Sequence, residues 1–212
     1  PTEILPVDRE GRLLPFPDGA PVVAMGINNE TGALVAGATD GERILDAVQT
    51  FGKGPLPEAA LVAIAAHKIG GPKGVGALVV RSGTAWEPPV PGHQERERRG
   101  GTENVAAISG FAAAIGAMRP DDGLAPARRL RRGLLALGAV PTVAAPEAET
   151  IVHVRFPGRA AETLLVRLDR AGVAASAGAA CASGAVEPSH VLLAMGYGER
   201  EAREAIRFST GW

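Results

Sequence analysis

Strand patterns and helical patterns alternate along this chain, and that alternation restricts its fold more than any other feature. Three apolar runs have the length of strands: Val22 to Ile27, Leu61 to Ala65 and Ala77 to Val80. Apolar residues recur at helical spacing in residues 103–118 and 161–168, residues 126–137 resemble a further helix, and residues 152–156 alternate as a strand. Short strands that alternate with helices predict an α/β fold.

One break in this pattern predicts a domain boundary. Residues 119–123 read Arg-Pro-Asp-Asp-Gly, a run of turn formers directly after the helical pattern of residues 103–118. We therefore expect one domain over residues 1–119 and a second over residues 120–212.

The first chemical candidate is Lys68, which follows the apolar run that ends at Ala65 and precedes a glycine-rich turn. A lysine near apolar walls has its charged form disfavoured, and a neutral amine can form a Schiff base with an aldehyde. Lys68 is therefore a candidate anchor for pyridoxal phosphate, a cofactor that is bound through such a lysine. The alternative is a solvated charge at a strand end, followed by an ordinary turn.

The second candidate is Cys181, the only cysteine of the chain, in a stretch of small residues from Ser176 to Gly184. Small side chains bury little area, so this stretch predicts an accessible loop rather than a buried cysteine. An accessible thiol is suited to react. A single cysteine also excludes an internal disulfide and a metal site built from cysteines.

Composition and charge exclude several other classes of function. Apolar residues make up 46% of the chain and charged residues 21%, as in ordinary globular proteins. The net charge of −1 gives no electrostatic reason to expect nucleic acid. No apolar run has membrane-spanning length and no targeting segment is visible, so together with the unpaired cysteine we expect a cytoplasmic protein without a membrane partner.

Seven segments in a fixed order resemble the group I cysteine desulfurases of the class V aminotransferase superfamily. They are Asn28 to Gly32, Asp46 to Lys53, His67 to Gly74, Gln94 to Asn104, Ser176 to Ser183, Glu187 to Ser189 and Ile206 to Ser209. The resemblance implies part of the large domain of a fold-type I pyridoxal-phosphate-dependent transferase in residues 1–119. It implies a small α+β domain that carries the cysteine loop in residues 120–212.

The resemblance also implies a set of cofactor-binding residues. Lys68 resembles the Schiff-base lysine, and His67 resembles the histidine near the cofactor phosphate. Asp46 resembles the aspartate that pairs with the pyridinium nitrogen, where a carboxylate keeps that nitrogen protonated. Gln49 resembles the donor to the phenolic oxygen, and Asn29 resembles an asparagine that helps to hold cofactor and substrate.

Three further residues resemble positions that bind substrate, carry sulfur or reach a neighbouring subunit. Arg207 resembles the arginine that binds the substrate carboxylate, a task that suits a planar guanidinium. Cys181 resembles the cysteine that becomes a persulfide, so the implied catalytic residues are Lys68, His67 and Cys181. Thr102 resembles a threonine that reaches the phosphate of the neighbouring subunit's cofactor, which implies a homodimer.

Each of these positions also has a purely structural interpretation. Asp46 could start a turn, and Asn28 and Asn29 before Glu-Thr-Gly could form one. Thr102 is placed to cap the helix that follows, a role compatible with phosphate binding. Arg207 lies in an apolar strand pattern, so it needs either a buried ion pair or a substrate.

The chain departs from the family pattern in one residue and in length. Ala65 stands where the family usually has a serine that donates to the phosphate, so one phosphate hydrogen bond should be absent. The family is about twice as long, and the first part of its cofactor-binding domain, which contains a Gly-Ala-Thr phosphate turn and a ring-stacking histidine, is not matched by this sequence. The link from Gly32 to Asp46 is also short for a crossover between parallel strands.

The activity implied by the resemblance is removal of sulfur from L-cysteine with pyridoxal phosphate. The products would be L-alanine and an enzyme persulfide for iron–sulfur cluster assembly or another sulfur-transfer pathway. The implied partners are L-cysteine, a second copy or a complementing chain, and a sulfur acceptor such as an iron–sulfur scaffold protein. The alternatives are a truncated, cofactor-free interaction protein, one half of a split enzyme, or an aminotransferase, which would have no need of the cysteine loop.

Overall fold

The chain folds into two compact units. The structure is a computed structural model that describes residues 3–16, 21–35, 43–54, 56–119, 121–146, 148–178 and 187–211. The four-stranded unit spans residues 18–25 and 38–119, and the three-stranded unit spans residues 1–17, 26–37 and 120–212. The units change at Arg119, where the sequence predicts a boundary. Residues 1–17 and 26–37 nevertheless belong to the C-terminal unit, whereas the sequence prediction assigned them to the first domain.

The four-stranded unit is built on a mixed sheet in the order β1-β2-β3-β4. Its strands are β1 (Val22–Met25), β2 (Arg43–Asp46), β3 (Leu61–Ala65) and β4 (Gly76–Val80). The first three are parallel, and β4 runs antiparallel to β3. The carboxyl ends of β1, β2 and β3 therefore lie at one edge of the sheet.

This unit also contains a 3-10 turn and a long helix. The turn (Ala66–Ile69) follows β3 directly, and helix α1 covers Val105–Ala117. Buried Ala66, Ile69 and Phe111 pack together between the turn and the helix. The intervening residues Gln94–Glu97 form one short turn with left-handed backbone angles.

The described residues of the three-stranded unit form an antiparallel sheet and four helices. Its strands, in spatial order, are β5 (Val140–Pro141), β6 (Ile151–Arg155) and β7 (Ala205–Ser209). Its helices are α2 (Leu124–Ala136), α3 (Ala161–Arg170), α4 (His190–Ala194) and α5 (Glu199–Ala202). Apolar side chains of β6, β7, α2 and α3 form a core that includes Val152, Val154, Ile206, Phe208, Ala127 and Ala161.

The predicted α/β class is confirmed, and the differences are local. The run from Val22 to Ile27 is not one buried strand, because β1 ends at Met25 and exposes alternate side chains. Ile27 instead forms an antiparallel bridge with Leu34 in the other unit. Among the described residues, no helix is long and apolar enough to span a membrane.

Candidate functional site

Four of the predicted site residues lie at the carboxyl edge of the four-stranded sheet. Asp46 is the last residue of β2 and pairs in register with Ala63 of β3. Gln49 follows three residues after Asp46, while His67 and Lys68 lie in the 3-10 turn that leaves β3. Parallel pairing of β2 with β3 thus brings a carboxylate, an amide, an imidazole and an amine to one edge of one sheet.

Asp46 has a structural task in addition to the predicted one. Its Oδ1 accepts a hydrogen bond of 2.9 Å from the N–H of Val48, so its side chain starts the turn after β2. The side chain is exposed on the sheet. The turn interpretation of Asp46 is therefore correct, and it uses only one of the two carboxylate oxygens.

Gln49 is held by Lys53, a residue that sequence reasoning did not select. Lys53 Nζ donates to Gln49 Oε1 over 2.9 Å. Because an ammonium can only donate, the amide oxygen must face Lys53, and the amide NH2 is left to donate elsewhere. Burial, and then the positive charge of Lys68, lower the pKa of Lys53. The spacing of four residues between Gln49 and Lys53 was the available sequence signal.

Lys68 and His67 lie in a turn whose other two residues pack into the core. Ala66 and Ile69 are buried, whereas His67 is exposed and Lys68 is half-buried. Gly70 ends the turn with φ 82°, and its N–H bonds to the carbonyl of Ala66. The two buried residues therefore hold the turn in place while the two polar side chains stay accessible.

Thr102 is exposed and does not cap helix α1. The N-cap is Asn104, whose side chain accepts a hydrogen bond of 3.1 Å from the N–H of Ala107. The predicted cap at Thr102 is therefore wrong by two residues. Asn104 satisfies the free N–H more directly, which leaves the Thr102 hydroxyl available for another partner.

The segment from Asn28 to Gly32 forms a tight turn in the three-stranded unit. Asn28 Oδ1 accepts hydrogen bonds from the N–H groups of Glu30 (2.9 Å) and Thr31 (3.0 Å). Gly32 has φ +75°, a left-handed angle that suits glycine. The turn interpretation of this motif is correct, and Asn28 rather than Asn29 supplies the side-chain bonds that shape it.

Asn29 and Arg207 are brought together within this unit. Arg207 lies on β7, half-buried, and its NH1 donates to the carbonyl oxygen of Asn29 over 2.9 Å. No ion pair of Arg207 occurs among the described residues, so its partner there is a backbone carbonyl and not the buried carboxylate considered from sequence. A carbonyl uses only part of the donor capacity of a guanidinium, which has five N–H groups.

A buried histidine lies beside Arg207 in the sheet. His153 of β6 pairs in register with Arg207 of β7, so the two side chains share a face. Its Nδ1 is 2.8 Å from Thr142 Oγ1. Burial, and then the charge of Arg207, lower the pKa of His153 to about 3. His153 therefore stays neutral near Arg207, and the sequence gave no sign of this neighbour.

Cys181 lies outside the described residues, but both flanks of its segment are described. On one side, Ser176 and Arg207 form an antiparallel bridge through their backbones, with N–H to carbonyl distances of 3.0 and 2.7 Å. On the other side, Ser189 caps helix α4, and its hydroxyl accepts a hydrogen bond from the N–H of Leu192. The segment that carries the cysteine thus begins beside the backbone of Arg207.

Comparisons with known proteins identify the family and the fold. The family model "Aminotransferase class-V" matches residues 24–212. A cysteine desulfurase of Enterobacter agglomerans is 39% identical over 209 residues, covering 89% of this chain and 52% of the relative. The cysteine desulfurase NifS of Azotobacter vinelandii is 37% identical, covering 97% of this chain and 58% of the relative. A solved structure titled "NIFS-LIKE PROTEIN" superposes with a TM-score of 0.80 at 30% identity, covering 98% of this chain and 62% of that one.

The fold therefore represents part of a fold-type I architecture. The chain belongs to the class V aminotransferase family. It spans between 52% and 60% of the length of the first curated relatives it matches, and these relatives are named cysteine desulfurases. The resemblance stated from the sequence motifs is confirmed, including its partial length.

Proposed function

We propose that this chain carries the catalytic residues of a pyridoxal-phosphate-dependent cysteine desulfurase. The observation that supports this most is that Asp46, Gln49 and Lys68 all lie at one edge of the four-stranded sheet. A carboxylate, an amide donor and an amine are the three groups that a pyridinium nitrogen, a phenolic oxygen and an aldehyde require. Family membership and the names of the relatives point the same way.

The donor set fits the ring and aldehyde side of the cofactor better than the phosphate side. Asp46 retains one carboxylate oxygen outside its turn, and the hydrogen bond from Lys53 leaves the Gln49 NH2 free to donate. On the phosphate side, Ala65 has no hydroxyl, while His67 and Thr102 have exposed side chains that can donate. We therefore expect weaker phosphate binding than a serine at residue 65 would give.

Each residue has a defined task in the proposed reaction. When bound, pyridoxal phosphate supplies an electron sink for the α-carbon of the substrate. Lys68 would hold the cofactor through its amine and, once free, would move the proton at the α-carbon of the substrate. Asp46 keeps the ring nitrogen protonated, and Gln49 donates to the phenolic oxygen. Arg207 binds the substrate carboxylate with the donors that Asn29 leaves unused.

Sulfur transfer is the proposed task of Cys181. Its thiolate attacks the sulfur of L-cysteine, so an S–S bond forms on the enzyme while the C–S bond of the substrate breaks. The carbon product takes up a proton and leaves as L-alanine. One cysteine and one enzyme thiol thus give one alanine and one enzyme persulfide, without an external oxidant or reductant.

The assembly around this reaction is also a proposal. We expect L-cysteine as substrate, and a sulfur-acceptor or iron–sulfur scaffold protein as the recipient of the persulfide sulfur. Thr102 would reach the cofactor phosphate of a neighbouring copy in a homodimer, or a complementing chain would supply the rest of the fold. A cytoplasmic location agrees with a thiol that must stay reduced.

The first experiment is a visible absorption spectrum of the purified chain with and without pyridoxal phosphate. We expect a new band in the wild type and in Lys73→Ala, which removes an exposed lysine, and none in Lys68→Ala. Reduction with borohydride and peptide mapping should then find the pyridoxyl group on Lys68, rather than on Lys53 or Lys73, the other two lysines of the chain. Equal labelling of all three lysines would contradict a built cofactor site.

Turnover is tested separately from cofactor binding. L-cysteine with a thiol reductant should yield alanine and sulfide in equal amounts. Cys181→Ser should abolish both products while leaving the absorption band unchanged. Turnover of an α-keto acid without sulfide would instead identify an aminotransferase.

The second candidate is one half of a split enzyme, and the uncovered sheet favours it. Val23, Ile44 and Leu78 expose 73%, 40% and 39% of their surface on one face of the four-stranded sheet. This face also carries Asp46, and a complementing chain could cover it. In that case the absorption band should appear only after the complementing polypeptide is added.

A further inference from the structure

Glu30 is a buried carboxylate in the Asn28–Gly32 turn, and the proposed reaction does not use it. Only 1% of its surface is exposed, and among the described residues it has no cationic partner. Burying a charged carboxylate without a cation is unfavourable unless hydrogen bonds compensate. Its position in a short polar motif gave no indication of burial. A residue of this kind is expected to hold neighbouring segments in a defined arrangement.

The strongest contact of Glu30 is with Ser189. The Ser189 hydroxyl donates to Glu30 Oε2 over 2.6 Å, a short distance typical of a charge-assisted hydrogen bond. The same hydroxyl oxygen accepts from the N–H of Leu192 over 3.2 Å and so caps helix α4. Glu30 therefore fixes the start of α4, the element that follows the Cys181 segment.

Glu30 also lies against the other flank of that segment. A methyl group built on Gly178 would be 3.5 Å from Glu30 Oε2 and 3.8 Å from Ser189 Cβ. Gly178 itself is buried with φ +77°, and its carbonyl accepts a hydrogen bond of 3.2 Å from the Ser176 hydroxyl. Both flanks of the Cys181 segment therefore lie near one carboxylate, through a hydrogen bond at Ser189 and through proximity alone at Gly178.

We propose that Glu30 is a positioning residue that joins the Asn28–Gly32 turn to both flanks of the segment that carries Cys181, at Gly178 and at Ser189. The neighbouring Asn29 binds Arg207 through its carbonyl, and the backbone of Arg207 pairs with Ser176. The substrate-binding arginine and both ends of the cysteine segment are therefore tied to one turn. The role of this anchor in sulfur transfer rests on the proposed function. The contacts that form the anchor do not depend on it.

The test uses Cys181 as a reporter, because it is the only thiol of the chain. The second-order rate of alkylation by iodoacetamide is measured at fixed pH for the wild type, Glu30→Ala, Ser189→Ala and the double variant. Loss of the Glu30–Ser189 hydrogen bond frees the start of helix α4, so we expect the thiol between the two flanks to react faster. We expect each single variant to react about tenfold faster, the factor that corresponds to loss of a hydrogen bond to a charged group.

The double variant and the conservative variants separate an anchor from general destabilisation. The double variant should react more slowly than the product of the two single effects predicts, because both substitutions remove the Glu30–Ser189 hydrogen bond. Ser189→Thr retains the hydroxyl and should restore the wild-type rate. Glu10→Ala is the matched control, since Glu10 accepts from the N–H of Ala144 in the same unit but contacts neither flank. Rates in urea should be equal for all variants.

Two outcomes would overturn the proposal: a rate for Glu30→Ala within twofold of that for Glu10→Ala, or multiplied effects in the double variant. If Glu30→Ala does not fold, the comparison uses three other variants instead: Ser189→Ala, Ser189→Thr and Glu30→Gln. The measurement requires neither cofactor nor turnover. A failure of the absorption experiment would therefore refute the proposed enzyme and leave this result intact.

Discussion

At the scale of single residues, His153 makes the clearest contribution to the pH dependence of stability. Its pKa is about 3 in the folded chain, while an unfolded histidine titrates near 6.5. Between these values the unfolded chain binds the additional proton, so the unfolding free energy rises with pH. The stability that neutral His153 contributes is complete above about pH 6.5 and is lost as the pH falls toward 3, by about 1.4 kcal/mol per pH unit.

We therefore expect the unfolding free energy to fall by about 2 kcal/mol more between pH 7 and pH 5 in the wild type than in His153→Gln. Glutamine retains a polar group for Thr142 but does not titrate. Urea unfolding of both proteins at the two pH values measures the difference, and other groups cancel in the comparison. An equal change in unfolding free energy in both proteins would mean that His153 is accessible to protons in the folded state.

Lys53 and Lys68 provide a second prediction at this scale. Burial is the larger cause of the lowered pKa of Lys53, and the positive charge of Lys68 is the smaller one. Removing that charge in Lys68→Met should raise the pKa of Lys53 part of the way toward the ordinary lysine value. Reductive methylation with a ¹³C label gives one signal for each of the three lysines, and a pH titration follows them individually. Lys73→Met should leave Lys53 unchanged, and an equal shift in both variants would contradict direct coupling.

At the scale of elements, the sequence predicts the position of helix α1 but not the residue that caps it. The apolar spacing of residues 103–118 predicts the helix, and the structure has it at Val105–Ala117. Thr102 and Asn104 are both good cap residues, and the spacing does not distinguish between them. Their backbone positions decide, because only Asn104 lies where its side chain reaches the N–H of Ala107.

The cap assignment leads to a stability prediction. Asn104→Ala should lower the unfolding free energy by about 1 kcal/mol, as expected for a lost N-cap. Thr102→Ala should change it by less than about 0.5 kcal/mol, because its side chain is exposed and caps nothing. Urea unfolding of the two variants measures both values. A larger loss in Thr102→Ala would restore the original cap assignment.

At the scale of the whole molecule, local patterns predicted the class of fold but not the division into units. Gly26 to Gly37 follows β1 in sequence, yet it belongs to the unit formed by residues 120–212. That arrangement depends on contacts distant in sequence, such as Arg207 to Asn29 and Ser189 to Glu30, which spacing along the chain does not encode. The motifs identified Asp46, Gln49 and Lys68, and the spacing to Gln49 could have indicated Lys53. The supporting residues Glu30 and His153 became visible only through tertiary contacts.

One face of the four-stranded sheet exposes apolar side chains. Val23 and Ile44 are paired in register, and Leu78 lies on the same face across β3. An apolar face of this kind on a chain of about half the length of its curated relatives favours association with a second polypeptide. We expect the purified chain to associate with itself in a concentration-dependent way through this face.

Replacing Val23, Ile44 and Leu78 together by threonine should shift the sedimentation mass toward the 21.6 kDa of a single chain. Threonine suits strands and keeps the shape of the face while removing apolar surface, so the unfolding free energy should change little. The matched control replaces Ile4, Val90 and Leu137, which expose 92%, 62% and 80% of their surface elsewhere. An equal effect of both triple variants would indicate nonspecific adhesion. An effect confined to the sheet face would identify it as the surface through which this chain meets its partner.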